Sequence, residues 1–374
     1  MTTLAVVVPN AIAADGDQVA IPDKLLTGLE AYARLWSGDV ALFAGANRLD
    51  TAGNLGTRTH SIHDLAFEVV LEEDIVGALS LRRPDVASLP LYRADAFLGL
   101  ARRSVVVTEN PAMQSFRSTI ARGVPPIQVL RVAAGSVRRL LRYRSVVRAA
   151  DGIQCNGWPA WDAFSPFSRS PMRFFDTRLS KAHVEAARAA RSPYTAGPLR
   201  LGFSGRFSAE KGPTFAIEAV RLLNERGMDV SLAMFGDGPQ LSELKASAPS
   251  NVTFRGSLPF DPEWTERVPK EVDVMVLPHV QGDPAGTYLE SMGLGVPVVG
   301  FDNVMLASLV DKEHLGWSVP MRNTRSLADE ITRLASDPDL INAMADEGFR
   351  FMAEHSWEQE FERRVAHLER IARR

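Results

Sequence analysis

The feature that most constrains the fold is the stretch from Val272 to Gly300. Val272-Asp273-Val274-Met275-Val276-Leu277 is a short apolar run with no room for a helix, and it predicts a buried parallel strand. Val296-Pro297-Val298-Val299-Gly300 predicts the next strand. Between them, Thr287 to Leu294 is the only segment long enough for a helix. Strand, loop, helix and strand make one βαβ unit. Its loop leaves the carboxyl end of the first strand, where open α/β sheets bind ligands.

That loop is rich in Gly and Pro and ends where the helix starts. Gly286 lets the backbone approach a ligand closely. The free N–H groups of Gly286, Thr287 and Tyr288 point at an anion, aided by the helix dipole. Glu290 lies within the first turn and can accept two hydroxyl hydrogen bonds from a sugar or ribose. The alternative is that Glu290 only complements the positive end of the helix. A second stretch has the same build. Leu199 to Ser204 predicts a strand, followed by Gly205-Arg206-Phe207-Ser208-Ala209-Glu210-Lys211-Gly212-Pro213 and a helix from about Thr214. Two cations beside a helix N-terminus suit a diphosphate, with Arg206 as a fork and Lys211 as a point charge.

Four motifs now stand in order: Gly205-Arg206 with Lys211-Gly212, then Phe235-Gly236-Asp237-Gly238-Pro239, then the Glu290 loop, then Gly295-Val296-Pro297. In that order and spacing they resemble the donor domain of family 4 glycosyltransferases, also called glycosyl transferases group 1, over about residues 199 to 360. The resemblance implies a retaining, nucleotide-sugar-dependent enzyme. It implies an α/β fold of two Rossmann-like domains facing a cleft (GT-B). The expected division is an acceptor-side domain at 1–192, a donor domain at 193–352, and a C-terminal helix at 353–374 packing back on the first domain. It also implies site residues. The donor diphosphate falls to Arg206, Lys211 and the N–H groups of Gly286 and Thr287, with Gly205 and Gly236 in the adjoining turns. Glu290 takes the ribose hydroxyls, and Arg255 and Leu258 neighbour the base.

One departure concerns the sugar. The family pattern is Glu-x7-Glu, and counting back from Glu290 the first position falls on Gly282. The nearest carboxylate is Asp283. Either Asp283 contacts the donor sugar from a loop shorter by one residue, or the sugar-side carboxylate is absent. A second departure follows the strand Ser104 to Thr108. There the family often carries a His, whereas this chain has Glu109-Asn110. No role transfers from that His. Glu109 is expected to line the acceptor side, the alternative being a strand-end cap. The expected catalytic set is Asp283, Glu109, Arg206 and Lys211.

Composition narrows the rest. At 374 residues the chain suits two domains, and 45% apolar with 23% charged residues is ordinary for a soluble protein. A net charge of −3 gives no general attraction to nucleic acid. The single cysteine, Cys155, excludes an intramolecular disulfide and reads as a buried core thiol. Leu4 to Val8 predicts the first strand, ending at Pro9-Asn10. The Asp15-Gly16-Asp17 stretch after it can hold a divalent metal in another glycosyltransferase fold. The simpler reading is a flexible turn, with Gly16, Asp17 and later Asn110 near the diphosphate or acceptor. No metal is called for. His63-Asp64 invites a catalytic pair, but a capping Asp beside a surface His is the plainer account. Ser192-Pro193-Tyr194-Thr195-Ala196-Gly197-Pro198 reads as the domain linker.

From Asn110 to Ala150 there is no Asp, Glu or Lys, yet Arg117, Arg122, Arg131, Arg138, Arg139, Arg142, Arg144 and Arg148 interleave with apolar residues at near-helical spacing. Such a helix either packs on a core with a solvated Arg face or lies on an anionic bilayer, each basic residue adding roughly 1 kcal/mol there. The amino-terminal run is too short for a signal peptide. The expected location is therefore cytoplasmic; on the second of the two helix readings, residues 117–148 would touch the inner face of the membrane. The expected function is transfer of a sugar from a UDP- or GDP-sugar to a hydroxyl of a saccharide or lipid-linked saccharide. That places it in polysaccharide, glycolipid or glycoconjugate biosynthesis. The rivals are a non-catalytic nucleotide-sugar-binding partner subunit and a sugar-nucleotide epimerase on the same fold.

Overall fold

The structure, a computed structural model, describes residues 2–48, 57–108, 126–282 and 286–374. These divide into two compact units. One comprises the described residues of Met1–Met113, Leu130–Phe175 and Glu358–Arg374; the other contains Asp176–Trp357. Glu109 and Asn110 lie outside the described residues, as does Asp283.

The first unit is built on β1 (Thr3–Asp15), β2 (Gln18–Pro22), α1 (Asp23–Leu35), β3 (Asp39–Arg48), β4 (Thr57–Ser61), β5 (Glu68–Leu71), α2 (Ile75–Arg82), β6 (Val86–Pro90), β7 (Arg103–Thr108), α3 (Pro126–Ala149), β8 (Gly152–Asn156), α4 (Gly157–Phe164) and β9 (Pro171–Phe174). Strands β5, β3, β1, β6, β7, β8 and β9 pair in parallel in that order. The apolar β-branched runs form its middle, with Ala5, Val7, Val106 and Ile153 in one buried cluster. The first strand is longer than expected. Pro9 has no N–H to give the ladder, and the β1–β3 register shifts between Val8 and Ala11. Past that bulge β1 continues to Asp15, where it turns and pairs antiparallel with β2. Gly16 and Asp17 are thus the tip of a hairpin, with Gly16 at φ 55° as such a turn requires. His63 Nε2 stands 3.5 Å from Asp17 Oδ2. The short turn there is capped by Ser61, which accepts from His63 N, and not by Asp64.

The C-terminal helix, Trp357–Ala372, joins this unit through buried polar contacts. Gln154 Nε2 donates to Arg364 O at 2.9 Å, and Arg364 Nε donates to Gln154 Oε1 at 3.0 Å. The Arg364 guanidinium lies over the rings of Phe174 and Phe361 at 4.3 and 4.9 Å. His367 Nε2 faces Ser170 O at 3.1 Å. Burial lowers the His367 pKa to about 4; the Ser170 carbonyl opposes that shift, while Arg370 and Arg374 reinforce it. Because the folded value lies below the unfolded one, the unfolded chain takes the proton first. The stability held by the neutral ring is complete above about pH 6.5 and is lost as pH falls toward 4. Going from pH 7 to pH 5 removes about 2 kcal/mol through this group. Urea unfolding at the two pH values should show a smaller difference in His367→Gln than in the parent. An identical difference would contradict the assignment. The lone Cys155 is buried, and burial pushes its thiol up to about 12, so it is inert core.

The second unit alternates cleanly: α5 (Lys181–Ala190), β10 (Leu199–Ser204), α6 (Pro213–Glu225), β11 (Val230–Phe235), α7 (Leu241–Ser247), β12 (Val252–Gly256), α8 (Thr265–Glu271), β13 (Val274–Leu277), α9 (Gly286–Gly293), β14 (Val298–Phe301), α10 (Val304–Glu313), β15 (Trp317–Val319), α11 (Thr324–Ala335) and α12 (Pro338–Glu354). Its sheet is parallel, in the order β12-β11-β10-β13-β14-β15. Every residue of β13 and β14 is buried, as continuous apolar runs require when helices cover both faces. The βαβ unit expected around Glu290 is β13, α9 and β14. The strand order reverses between β10 and β13. The crevice outside their carboxyl ends is where such sheets take ligands. The Arg206–Lys211 turn and the Pro278–Gly282 segment both leave from those two ends.

Candidate functional site

The first turn is set by backbone contacts. Gly205 N donates to Phe235 O at 2.9 Å and Phe207 N to Asp237 O at 2.8 Å, so the turn after β10 lies along the turn after β11. A Cβ on Gly236 would stand 2.0 Å from Gly205 O, so Gly236 serves this close approach of two backbones. Lys211 N and Gly212 N both bond Ser208 O, and Gly212, at φ 67°, is the N-cap of α6. Its Cα packs so tightly on the next loop that a Cβ would meet Pro278 O at 2.3 Å. Val280 N donates to Glu210 O at 3.0 Å. The Lys211 turn and the segment after β13 are therefore one joined surface. Arg206 on that turn is exposed and Lys211 is half-buried.

His279 lies beneath this surface. It is buried, and neither ring nitrogen has a hydrogen-bond partner among the described residues. Burial drives its pKa well below the usual histidine value, and the nearby Lys211 charge pushes the same way. The ring is neutral and leaves Lys211 as the charge of the pair.

The start of α9 brings Gly286, Thr287 and Glu290 together. The Glu290 carboxylate is folded back toward the helix start, Oε1 being 3.2 Å from where a Gly286 Cβ would stand. Glu290 is 3% exposed and is held by Arg178, to which no sequence motif points. Arg178 Nε donates to Oε1 at 2.7 Å and its Nη2 to Oε2 at 2.8 Å. Burial alone would lower the Arg178 pKa, but the bonds and charge of Glu290, with Asp176, more than offset it and the net shift is upward. The guanidinium also lies over the Phe260 ring at 3.8 Å, and Phe260 stacks on Trp264 at 5.5 Å. Arg178 thus ties Glu290 to the segment that follows the expected base loop. Each carboxylate oxygen accepts one bond from Arg178 and keeps a lone pair for a further donor.

Other expected residues fall differently. Arg255 Nε pairs with Glu271 Oε2 at 3.0 Å. Leu258 is half-buried in the segment between β12 and Phe260. At Gly282, the place of the family's first Glu, a Cβ would meet Val304 Cγ2 at 2.3 Å. The loop is built without a side chain there, so position 282 does not supply the sugar-side carboxylate. Gly16 and Asp17 belong to the hairpin of the first unit. No spacing rule flags Arg178, which is 112 residues from Glu290.

Residues 198–337 match the family model Glycosyl transferases group 1. Over 167 residues the chain is 30% identical to 2-deoxystreptamine glucosyltransferase of Streptomyces kanamyceticus, covering 43% of this chain and 42% of that protein. Over 193 residues it is 28% identical to the amylovoran biosynthesis glycosyltransferase AmsK of Erwinia amylovora, covering 47% of this chain and 46% of that protein. The chain spans less than half the length of each of these relatives. A crystal structure of Anabaena HepE in complex with UDP and glucose matches in fold, with a TM-score of 0.62 at 14% identity over 98% of both chains. The fold is the α/β fold of GT-B glycosyltransferases, with a mainly parallel sheet in the first unit and a parallel one in the second. Within it, residues 198–337, which hold the turns described above, are the part that resembles Glycosyl transferases group 1.

Proposed function

We propose that the protein is a retaining, family 4 type glycosyltransferase that moves a sugar from a nucleotide diphosphosugar to a hydroxyl of a saccharide or lipid-linked saccharide. The observation that carries this reading is the meeting, at the β10–β13 switch point, of the Arg206–Lys211 turn, the Pro278–Gly282 segment and the start of α9 with Glu290. A donor there has its diphosphate on Arg206, Lys211 and the N–H groups of Gly286 and Thr287, and its ribose on Glu290. As the glycosidic bond breaks, negative charge grows on the leaving phosphate. Fixed cations and backbone dipoles stabilise it, one such donor being worth about 3 kcal/mol. The reading needs no metal. Asp283 contacts the donor sugar and Glu109 orients the acceptor. That HepE was crystallised with UDP and glucose, and that AmsK is named for a polysaccharide, supports a UDP-sugar donor and a polysaccharide product. The test is incubation with UDP- and GDP-sugars and a saccharide acceptor: one donor should lose its sugar to the acceptor, and release of no nucleotide from any of them would overturn the reading.

A second reading keeps the donor site without the chemistry. Gly282 has no room for the family's first carboxylate, which favours a nucleotide-sugar-binding partner subunit. Tight donor binding with no hydrolysis or transfer on any acceptor would support it.

The membrane reading rests on α3. Val137 and Leu141 are 47% and 58% exposed, and Arg131, Arg138, Arg142 and Arg148 are exposed on the same helix. Among the described residues no helix is long and apolar enough to cross a membrane. Contact with the inner face of the cytoplasmic membrane would then be superficial and electrostatic. The protein should float with vesicles containing anionic lipid at low salt and be released by salt. Absence from such vesicles would end this reading.

A further inference from the structure

Below the donor turns lies a buried cluster that the proposed reaction does not itself use. Asn303 is the N-cap of α10, and its Oδ1 accepts from Met305 N at 3.1 Å and Leu306 N at 3.2 Å. That duty occupies only the carbonyl end of the amide. An Asp or Ser would perform it equally well. The amide nitrogen faces the other way. It donates to Tyr288 Oη at 2.8 Å and to His279 O at 3.1 Å, with Phe301 O more distant at 3.4 Å. One side chain thereby reaches the end of β13, the end of β14 and the first turn of α9.

Tyr288 is fully buried, its ring 5.1 Å from that of His279. A buried tyrosine hydroxyl requires a partner, and Asn303 supplies one. Tyr288 directly follows Gly286 and Thr287, so fixing its hydroxyl fixes where their N–H groups stand. His279, whose carbonyl Asn303 also takes, lies under the segment joined to the Lys211 turn.

We propose that Asn303 and Tyr288 are positioning residues of the donor site: their hydrogen bond holds the first turn of α9 in register with the Lys211 turn, so that both meet one diphosphate. This rests on the donor-site reading above. Neither residue touches the nucleotide. Both act through the placement of Gly286, Thr287 and Lys211, where a shift of about 1 Å costs a reaction on the order of a hundredfold in rate.

The test is titration of the full chain with UDP and GDP in Tyr288→Phe, Asn303→Ser and the double variant, with a melting curve for each. Asn303→Thr is a second cap-preserving replacement in case the serine variant folds poorly. Each single variant should bind nucleotide about ten- to a hundredfold more weakly at temperatures well below its melting point, the loss expected when a hydrogen bond to a charged phosphate is misaligned. The double variant should bind no more weakly than the weaker single, because both changes break the same bond. Lowered melting points with unchanged nucleotide affinity would reduce the cluster to core packing and overturn the proposal. Losses that multiply in the double variant would overturn it as well. If the parent protein takes neither nucleotide, the donor-site reading falls and the positioning role with it. If binding is tight in the parent and survives both substitutions, the positioning role alone falls.

Discussion

Arg178→Gln should destabilise the protein by about 2 kcal/mol and abolish tight nucleotide binding. The first effect follows from burial. Glu290 is 3% exposed, and both bonds from Arg178 to its carboxylate are short. Removing one partner of a fully buried pair costs about 3–5 kcal/mol, because a charge is left behind in a poor solvent. Arg178 itself is 46% exposed at its side chain, which screens the pair and reduces the cost. The second effect follows from position. A carboxylate without its fork is free to turn, and the Phe260 ring loses the cation lying on it. Arg178→Gln/Glu290→Gln separates the two. With the charge also gone, most of the stability should return, yet nucleotide affinity should stay low. Urea unfolding and nucleotide titration on the three proteins decide it. A double variant that binds nucleotide like the parent would remove Glu290 from the ribose site.

Lys211→Ala should lower turnover on the order of a hundredfold while leaving the melting point within a few degrees of the parent. The turn that carries Lys211 is held by backbone bonds at Ser208 and Glu210, and by the packing of Gly212 on Pro278, none of which needs the ammonium group. On the proposed reaction, what is lost is a positive charge where the leaving phosphate would gain negative charge. The neutral His279 beneath it cannot substitute, since burial keeps its ring unprotonated. Normal turnover in this variant would remove Lys211 from the site.

The legible part of this protein was the part written in apolar runs. Val274 to Leu277 and Val298 to Phe301 had no room to be anything but buried strands, and the helix between them followed from length alone. The turn at Gly205 to Gly212 was legible because a glycine, two cations and a helix start coincide there. What could not be read needed three dimensions. Arg178 sits 112 residues before Glu290 on a segment that reads only as a lead-in to a helix, and no periodicity connects them. Asn303 looks like any N-cap until its amide nitrogen is seen to reach three other elements. The empty place at Gly282 was legible as a departure. Its cause, the side chain of Val304, was not. The apolar run of the first strand ends at Pro9-Asn10, and nothing in it shows that a bulge between Val8 and Ala11 lets the strand run on to Asp15.

The most direct measurement is calorimetric titration of the protein with UDP, GDP and their common sugars, with and without EDTA, alongside Arg206→Ala. One nucleotide should bind with micromolar affinity, unchanged by EDTA and lost in Arg206→Ala. Failure to bind any of them, or equal binding by the variant, would contradict a diphosphate site at the β10–β13 switch point.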